Sequence, residues 1–150
     1  MSQSLCSILV HIIFSTKERE EFISQEIEGE LYRYIRTILN DLKCPLIAIN
    51  GMKDHIHLLV NLNKNVIPSQ ILQEIKSHSS RWIKTRGTNY SMFSWQGGYA
   101  MFSVSRRNAD SLIEYINNQK EHHKKVSFKD ELLKLIKRSG IEYNEKYLWD

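Results

Sequence analysis

The order of apolar segments along the chain constrains its fold more than any other feature of the sequence. Four short segments rich in β-forming residues alternate with stretches in which apolar residues recur at helical spacing. The predicted strands are residues 5–15, 46–50, 55–61 and the segment YAMFSVS at 99–105. Asn50 and Gly51 form a hairpin-type turn signal, so the second and third strands are expected to pair antiparallel.

Four helices are predicted between and after these strands. The first ends ahead of Pro45, and the second begins at Pro68, because proline stops a helix but is tolerated in its first turn. A third, long helix is predicted over 106–125. The last helix has three terminal signals, which are Ser127 as N-cap, Glu131 near the capping-box position and Gly140 as the C-terminal stop.

The order β-α-β-β-α-β followed by helices predicts an α+β fold of the ferredoxin-like, RRM-like kind. Such a fold has a four-stranded antiparallel sheet with the first two helices on one face. The other face is left for the C-terminal helices or for a ligand. Since the chain has 150 residues and no linker-like segment, a single domain spanning 1–150 is expected.

The composition excludes several classes of protein. No apolar run approaches the roughly 18–20 residues that a membrane span needs. The apolar stretch 8–14 lacks a basic leader, so a cytoplasmic protein without a membrane partner is expected. Cys6 and Cys44 lack CxxC spacing and predict neither a disulfide framework nor a zinc knuckle.

The positive charges are unevenly distributed along the sequence. The net charge of +4 comes from 21 basic and 17 acidic residues, yet the stretch 76–107 contains no acidic residue. Its cations are Lys76, Arg81, Lys84, Arg86, Arg106 and Arg107, and the third predicted helix adds Lys120, Lys124 and Lys125. A basic region of this kind is typical of a surface that binds a phosphate backbone, and an ordinary solvated surface is the alternative.

The third predicted strand, in the segment DHIHLLVNL, carries two histidines on one face. Side chains alternate along a strand, so His55 and His57 share one face and the aliphatic residues at 56, 58 and 60 share the other. The aliphatic face is expected to pack against helices, with the histidines on the more open side. Imidazoles at this spacing lie roughly 6–7 Å apart, which suits two ligands of one metal ion. A pair of hydrogen-bonded structural histidines is the alternative.

The third predicted helix supplies a tyrosine and an amide one turn apart. Tyr115 and Gln119 are i and i+4 neighbours on the flank of its apolar stripe, and His122 continues the same edge. A phenol can attack an electrophile, and an amide oxygen can ligate a hard cation. The alternative is a half-buried aromatic side chain beside a solvated amide.

The combination of His-x-His on a central strand with Tyr-x-x-x-Gln on a late helix resembles the HUH single-tyrosine transposases of small bacterial insertion sequences. It also resembles their relatives, the REP-associated tyrosine transposases. The resemblance covers almost the full chain and is carried by several segments in the family order. These segments are VHIIFSTKERE, DHIHLLV, WQGGYAMFSVS, EYINNQKEHH and EYNEKYLWD.

The resemblance implies a DNA transposase that cleaves and rejoins single-stranded DNA at hairpin-containing element ends through a 5′-phosphotyrosine intermediate. It implies Tyr115 as the nucleophile and His55, His57 and Gln119 as metal ligands. Separately from the resemblance, His122 and His123 are candidates to assist proton transfer or to bind phosphate, and solvated helix histidines are the alternative. This nitrogen and oxygen ligand set without thiolates favours Mg²⁺ or Mn²⁺. Family members of this size are commonly homodimers, so a homodimer is expected, with the site assembled within one chain or between two.

Two other functions remain open at the level of sequence. A non-catalytic RRM-like nucleic-acid-binding module would share the fold, although the aromatic motif of that module is absent from the first and third strands. A replication-initiator or relaxase-type HUH endonuclease would share the chemistry, but such enzymes are usually longer or carry added domains.

Overall fold

The computed structural model describes residues 2–150 and has a four-stranded antiparallel sheet at its centre. The strands are β1 (Leu9–Ser15), β2 (Leu46–Gly51), β3 (His55–Asn61) and β4 (Ala100–Val104). Their order is β2-β3-β1-β4, so β1 and β3 are central and β2 and β4 are outer strands. The strands β2 and β3 pair antiparallel, as the Asn-Gly signal predicts. The predicted α+β class and sheet are therefore confirmed.

Helices cover both faces of this sheet. They are α1 (Gln25–Asp41), α2 (Pro68–Ile83), α3 (Ala109–Asn117), α4 (Gln119–His122), α5 (Phe128–Ser139) and α6 (Glu145–Leu148). Helices α1 and α2 pack on one face, and α3 and α5 pack on the other. Because both faces are covered, β1 is buried at each of its seven positions and reads as a nearly continuous apolar run.

The alternation of side chains in β3 divides the molecule into a structural side and a site side. Three aliphatic residues of β3 are fully buried against α1 and α2, namely Ile56, Leu58 and Val60. Leu59 points the other way and packs with Ile116 of α3. His55 and His57 share the face of Leu59, as predicted. The C-terminal helices cover this face, which was one of its two predicted uses, so the two histidines are buried rather than on an open surface.

The first strand and the third helix are shorter than predicted. Strand β1 begins at Leu9 rather than near Leu5, because its partners β3 and β4 both end opposite Leu9 and Leu5 is 85% exposed. The helix predicted over 106–125 is interrupted at Asn118, whose φ of −95° and ψ of 14° lie in the bridge region. The interruption separates Tyr115 on α3 from Gln119 on α4.

Within residues 2–150, none of the helices combines the length and the apolar composition needed to cross a bilayer.

The assignment of the two sheet faces predicts a stability difference between two substitutions. Leu58→Ala removes a fully buried side chain from the α1–α2 face, so we expect the free energy of unfolding to fall by about 2–5 kcal/mol. Ile47→Ala on the outer strand β2, where the side chain is 40% exposed, should cost about 1 kcal/mol or less. Urea denaturation of both variants measures the difference, and equal losses would contradict the assignment.

Candidate active site

His55 and His57 lie at the beginning of β3, beneath the C-terminal helices. They are 1% and 0% exposed, and their ring centroids are 5.2 Å apart, somewhat closer than strand geometry alone suggests. His55 Nδ1 lies 2.7 Å from Asp54 Oδ1, so this ring nitrogen donates its hydrogen to the carboxylate. The lone pair of His55 is therefore on Nε2, which points into the protein.

Both ring nitrogens of His57 lie at hydrogen-bond distance from other side chains, one of which is a third histidine. His57 Nδ1 lies 2.8 Å from Nε2 of His11, which is in β1, and His57 Nε2 lies 2.9 Å from Glu131 Oε1. Burial lowers the pKa of His57 to about 4 and the pKa of His11 to about 3. Both rings are therefore neutral at physiological pH.

The C-terminal segment brings three more donor groups to the same point. Gln119 lies at the start of α4, His123 directly after α4, and Glu131 in α5. Gln119 Oε1 is 2.8 Å from His123 Nε2 and 3.4 Å from His55 Nε2. Glu131 Oε1 is 3.2 Å from His123 Nε2. One donor atom from each of His55, His57, His123 and Glu131 lies within 4.8 Å of the others.

The lone pairs of two imidazoles converge in a way that favours a cation. His123 Nδ1 donates to the Val126 carbonyl at 2.8 Å, so a neutral His123 has its lone pair on Nε2, as His55 does. These two Nε2 atoms are 3.0 Å apart. Lone pairs at that distance repel unless a proton or a metal ion lies between them. The nitrogen and oxygen donors therefore fit a divalent cation.

Glu131 is only 3% exposed, yet it is ionised. Burial opposes the charge, but hydrogen bonds from His123 and His57 outweigh burial and hold the pKa of Glu131 well below its usual range. Burial also works against protonation of His123, but Glu131 outweighs it and raises the pKa of His123. A positive charge, on His123 or on a metal ion, is therefore favoured beside Glu131.

Tyr115 contacts the other oxygen of the same carboxylate. Its hydroxyl donates a hydrogen bond to Glu131 Oε2, and Gln119 Nε2 donates to this oxygen at 3.1 Å. Burial and the bond to Glu131 raise the pKa of Tyr115, while the charge of Arg138 works in the opposite direction. His122 Nε2 lies 3.1 Å from Glu131 Oε2 without hydrogen-bond geometry. The phenol thus lies beside the cluster of histidines, within one chain.

The structure brings together the four residues that were predicted to form the site, but it disperses the predicted DNA-binding cations. Four of these cations belong to α2 or to the turn after it, on the sheet face opposite the site. They are Lys76, Arg81, Lys84 and Arg86. The Lys76 ammonium donates to three backbone carbonyls, and burial lowers its pKa to about 8. Arg86 pairs with Glu30.

The other predicted cations lie on the same side of the sheet as the site or at its border. Arg106 and Arg107 form the turn before α3, and Arg106 donates to Ser7 Oγ. Lys120 pairs with Glu28 and donates to the Gly51 carbonyl, and Lys124 pairs with Glu121.

Two residues of the site, His11 and Glu131, were not predicted to belong to it, and His123 was predicted only as a candidate assisting group and not as a metal ligand. Glu131 was interpreted as a possible capping-box residue, but its side chain is directed at the histidines. Its position was informative, because it falls within the apolar stripe of α5, between Phe128 and Leu132, where a carboxylate needs a partner. His11 gave no such signal, since a strand buried on both faces does not alternate.

Comparisons with known proteins agree with this fold and identify the family. The profile of the family described as "Transposase IS200 like" matches residues 4–119, more than half of the chain. The chain therefore belongs to the IS200-like transposases, and it is a DNA transposase. No curated protein matches it in sequence.

Two solved structures share its fold. One is a protein of Deinococcus radiodurans R1 described as a transposase, with 22% identity and a TM-score of 0.62, and the match covers 79% of this chain and 98% of that one. The other is a REP-associated tyrosine transposase bound to a REP hairpin, with 16% identity and a TM-score of 0.61, and the match covers 84% of this chain and 76% of that one.

The buried histidines predict that the metal-free protein loses stability in mild acid. The folded-state pKa values of His11 and His57 are about 3 and 4, below the unfolded value of 6.5, so only the unfolded chain takes up these protons as the pH falls below 6.5. The raised pKa of His123 acts in the opposite sense. We expect a net loss of about 1–3 kcal/mol between pH 7 and pH 5 in EDTA.

Urea denaturation at the two pH values measures this loss. His11→Gln removes one of the two responsible groups, so its pH dependence should be weaker than that of the wild-type protein. Greater stability of the wild-type protein at pH 5 than at pH 7 would contradict the assignment.

Proposed function

We propose that this chain cleaves and rejoins single-stranded DNA at hairpin-containing ends through a covalent 5′-phosphotyrosine intermediate. One observation carries this proposal: Tyr115 is hydrogen-bonded to Glu131 Oε2, while Glu131 Oε1 lies among the Nε2 atoms of three histidines. A nucleophile and a set of metal ligands are thereby joined by a single carboxylate. The hairpin in the structure of the REP-associated relative supports this class of substrate.

The proposed ligands are the predicted His55, His57 and Gln119, joined by His123 and Glu131. Mg²⁺ or Mn²⁺ is the proposed ion, since the donors are nitrogen and oxygen and none is a thiolate. When bound, the cation would polarise the scissile phosphate and stabilise the charge that develops during displacement. The roles of Asp54 and Val126 are to fix the hydrogens of His55 and His123 on Nδ1.

The proposed step is an in-line displacement at phosphorus. Tyr115 Oη forms the new bond to phosphorus, the bond from phosphorus to O3′ breaks, and the proton lost by the phenol balances the one gained by O3′. The Tyr115 hydrogen points at Glu131 Oε2, which leaves the lone pairs of Oη free to meet the phosphate. The phosphotyrosine link conserves the bond energy, so a later attack by another 3′-hydroxyl rejoins DNA without a nucleotide cofactor. His122 is the proposed assisting group beside the reacting oxygens.

The site-side cations are the proposed contacts to the DNA strand. Arg106, Arg107, Lys120 and Lys124 belong to the connections and helices that carry Tyr115 and Gln119. Phosphate contacts of this kind contribute affinity without reading sequence. Because Lys76, Arg81, Lys84 and Arg86 lie on the opposite face, they are proposed to act only on DNA away from the scissile phosphate.

The site is proposed to work within one chain. The hydrogen bond from Tyr115 to Glu131 joins groups of the same chain, and every proposed ligand comes from it as well. This arrangement also supports a single transposase domain over 1–150. A homodimer remains a proposal, with the outer strands β2 and β4 as candidate joining edges.

The alternative functions have less support. An RRM-like module stacks bases on an exposed sheet face, whereas here α3 and α5 cover that face and buried histidines lie on it. A replication-initiator or relaxase-type endonuclease would nick a replication origin rather than hairpin ends, so the two DNA substrates compared in one cleavage assay distinguish it.

Removing the Tyr115 hydroxyl is expected to abolish the covalent intermediate. With hairpin-containing single-stranded DNA and Mn²⁺, wild-type protein should form an adduct that Tyr115→Phe does not form. Among residues 2–150, the hydroxyl of Tyr115 is the one that hydrogen-bonds to Glu131. Tyr99→Phe is the matched control, because Tyr99 is 42% exposed and lies before β4. Denaturing gel electrophoresis and mass spectrometry of the adduct provide the measurement. An adduct on Tyr115→Phe would exclude Tyr115 as nucleophile.

Assembly within one chain predicts the outcome of a mixing experiment. Tyr115→Phe lacks the nucleophile, and His57→Ala lacks a ligand, so neither should cleave DNA alone. If each site is built by one chain, co-expressed mixtures of the two variants should remain inactive. Recovery of roughly a quarter or more of wild-type cleavage would instead mean that a helix from one chain completes the site of another.

A further inference from the structure

His11 is a buried polar side chain to which the proposed reaction assigns no role. It lies in the central strand β1, is 3% exposed, and is on the same sheet face as the site. His11 Nε2 is 2.8 Å from His57 Nδ1, and the two rings are nearly parallel with centroids 5.1 Å apart. Within residues 2–150, its side chain hydrogen-bonds only to this proposed metal ligand.

The hydrogen bond between the two histidines has a defined direction in the metal-free protein. An ionised carboxylate only accepts hydrogen bonds, so at 2.9 Å from Glu131 Oε1 the hydrogen of neutral His57 is on Nε2. His57 Nδ1 then has a lone pair and accepts from His11, whose hydrogen is also on Nε2.

Metal ligation requires the opposite direction. A histidine that binds a cation through Nε2 has its lone pair there and its hydrogen on Nδ1. His57 Nδ1 must then donate to His11 Nε2. His55 differs from His57, because its partner Asp54 accepts a hydrogen bond in both the metal-free and the metal-bound protein. His55 therefore keeps its hydrogen on Nδ1 and its lone pair on Nε2, as metal binding requires. The side chain at position 11 must therefore be able both to donate to His57 and to accept from it, as an imidazole or an amide can.

We propose that His11 is a positioning residue whose hydrogen bond to His57 reverses when the site takes up a divalent cation. The hydrogen between the two rings passes from His11 Nε2 to His57 Nδ1, while His57 Nε2 gives up one hydrogen and His11 Nδ1 takes one up. Each ring stays neutral, and the hydrogens balance. The inference rests on the proposed metal site. It adds to metal binding a change in which ring nitrogens carry hydrogen, without a change in the positions of the rings.

Imidazole nitrogen NMR tests the reversal directly. Histidine labelled with ¹⁵N shows which ring nitrogen carries the hydrogen, and Zn²⁺ is a diamagnetic probe with affinity for imidazoles. In EDTA, His11 and His57 should both carry the hydrogen on Nε2, and with Zn²⁺ both should carry it on Nδ1. Resonances are assigned with single His variants.

The NMR outcomes separate two failures. If His55 and His57 respond to Zn²⁺ while His11 keeps the same tautomer, the reversal is wrong and the metal site stands. If neither His55 nor His57 responds, the proposed metal site itself is wrong.

Variants of His11 test its importance for metal binding. His11→Leu leaves His57 Nδ1 without a partner and should weaken Mn²⁺ binding about 10–100-fold, as lost outer partners of metal ligands commonly do. His11→Gln should stay within about threefold of wild type, because its amide can present either its nitrogen or its oxygen. His78→Leu, at a partly exposed position of α2 away from the site, is the control and should bind Mn²⁺ normally.

Calorimetric titration with Mn²⁺ provides this measurement, after circular dichroism has shown that each variant is folded. Wild-type affinity in His11→Leu, or equal losses with leucine and glutamine, would overturn the proposal, the second result indicating a packing role. If His11→Leu does not fold, the tautomers of the wild-type protein decide.

Discussion

The site depends on the hydrogen bonds and charge interactions of the Glu131 carboxylate. A buried negative charge is costly unless it is paired, and here histidines partner Oε1 while the Tyr115 hydroxyl and the Gln119 amide partner Oε2. The same charge holds β3, α3, α4 and α5 in register around one point. It adds a polar contact to the apolar clusters through which the C-terminal helices pack over the histidine-bearing face of the sheet.

In the remainder of the fold, one face of the sheet forms the larger apolar core and the other face carries the site. The aliphatic face of the sheet packs against α1 and α2, and it forms the larger core of the protein. The opposite face carries the histidines and two smaller apolar clusters beneath α3 and α5. The family match ends at Gln119, yet His123 and Glu131 lie beyond it. The segment after the matched region therefore contributes half of the histidine–glutamate cluster.

Much of this architecture could be predicted from local patterns. Strand periodicity assigned the two faces of β3, and the order of elements gave the sheet and the positions of α1 and α2. The spacing of Tyr115 and Gln119 placed on one helix edge the phenol and the amide that the structure brings beside His55 and His57. The break at Asn118 could not be predicted, because it depends on packing around the site. Glu131 and His11 were missed because their partners are distant in sequence, and a buried strand such as β1 has no alternation that would single out one polar residue. The basic stretch 76–107 did not predict a single DNA-binding surface correctly. This stretch runs from α2 through β4 to the turn before α3, so its cations lie on different faces of the sheet.

The central claim is that one divalent cation binds where the histidines meet Glu131, next to Tyr115. Anomalous diffraction at the manganese edge, from crystals of the protein grown with Mn²⁺, tests it most directly. We expect a single strong peak in contact with His55 Nε2, His57 Nε2 and Glu131 Oε1, with the Tyr115 hydroxyl close by. Manganese found only on surface carboxylates, with the histidine cluster unchanged, would contradict it.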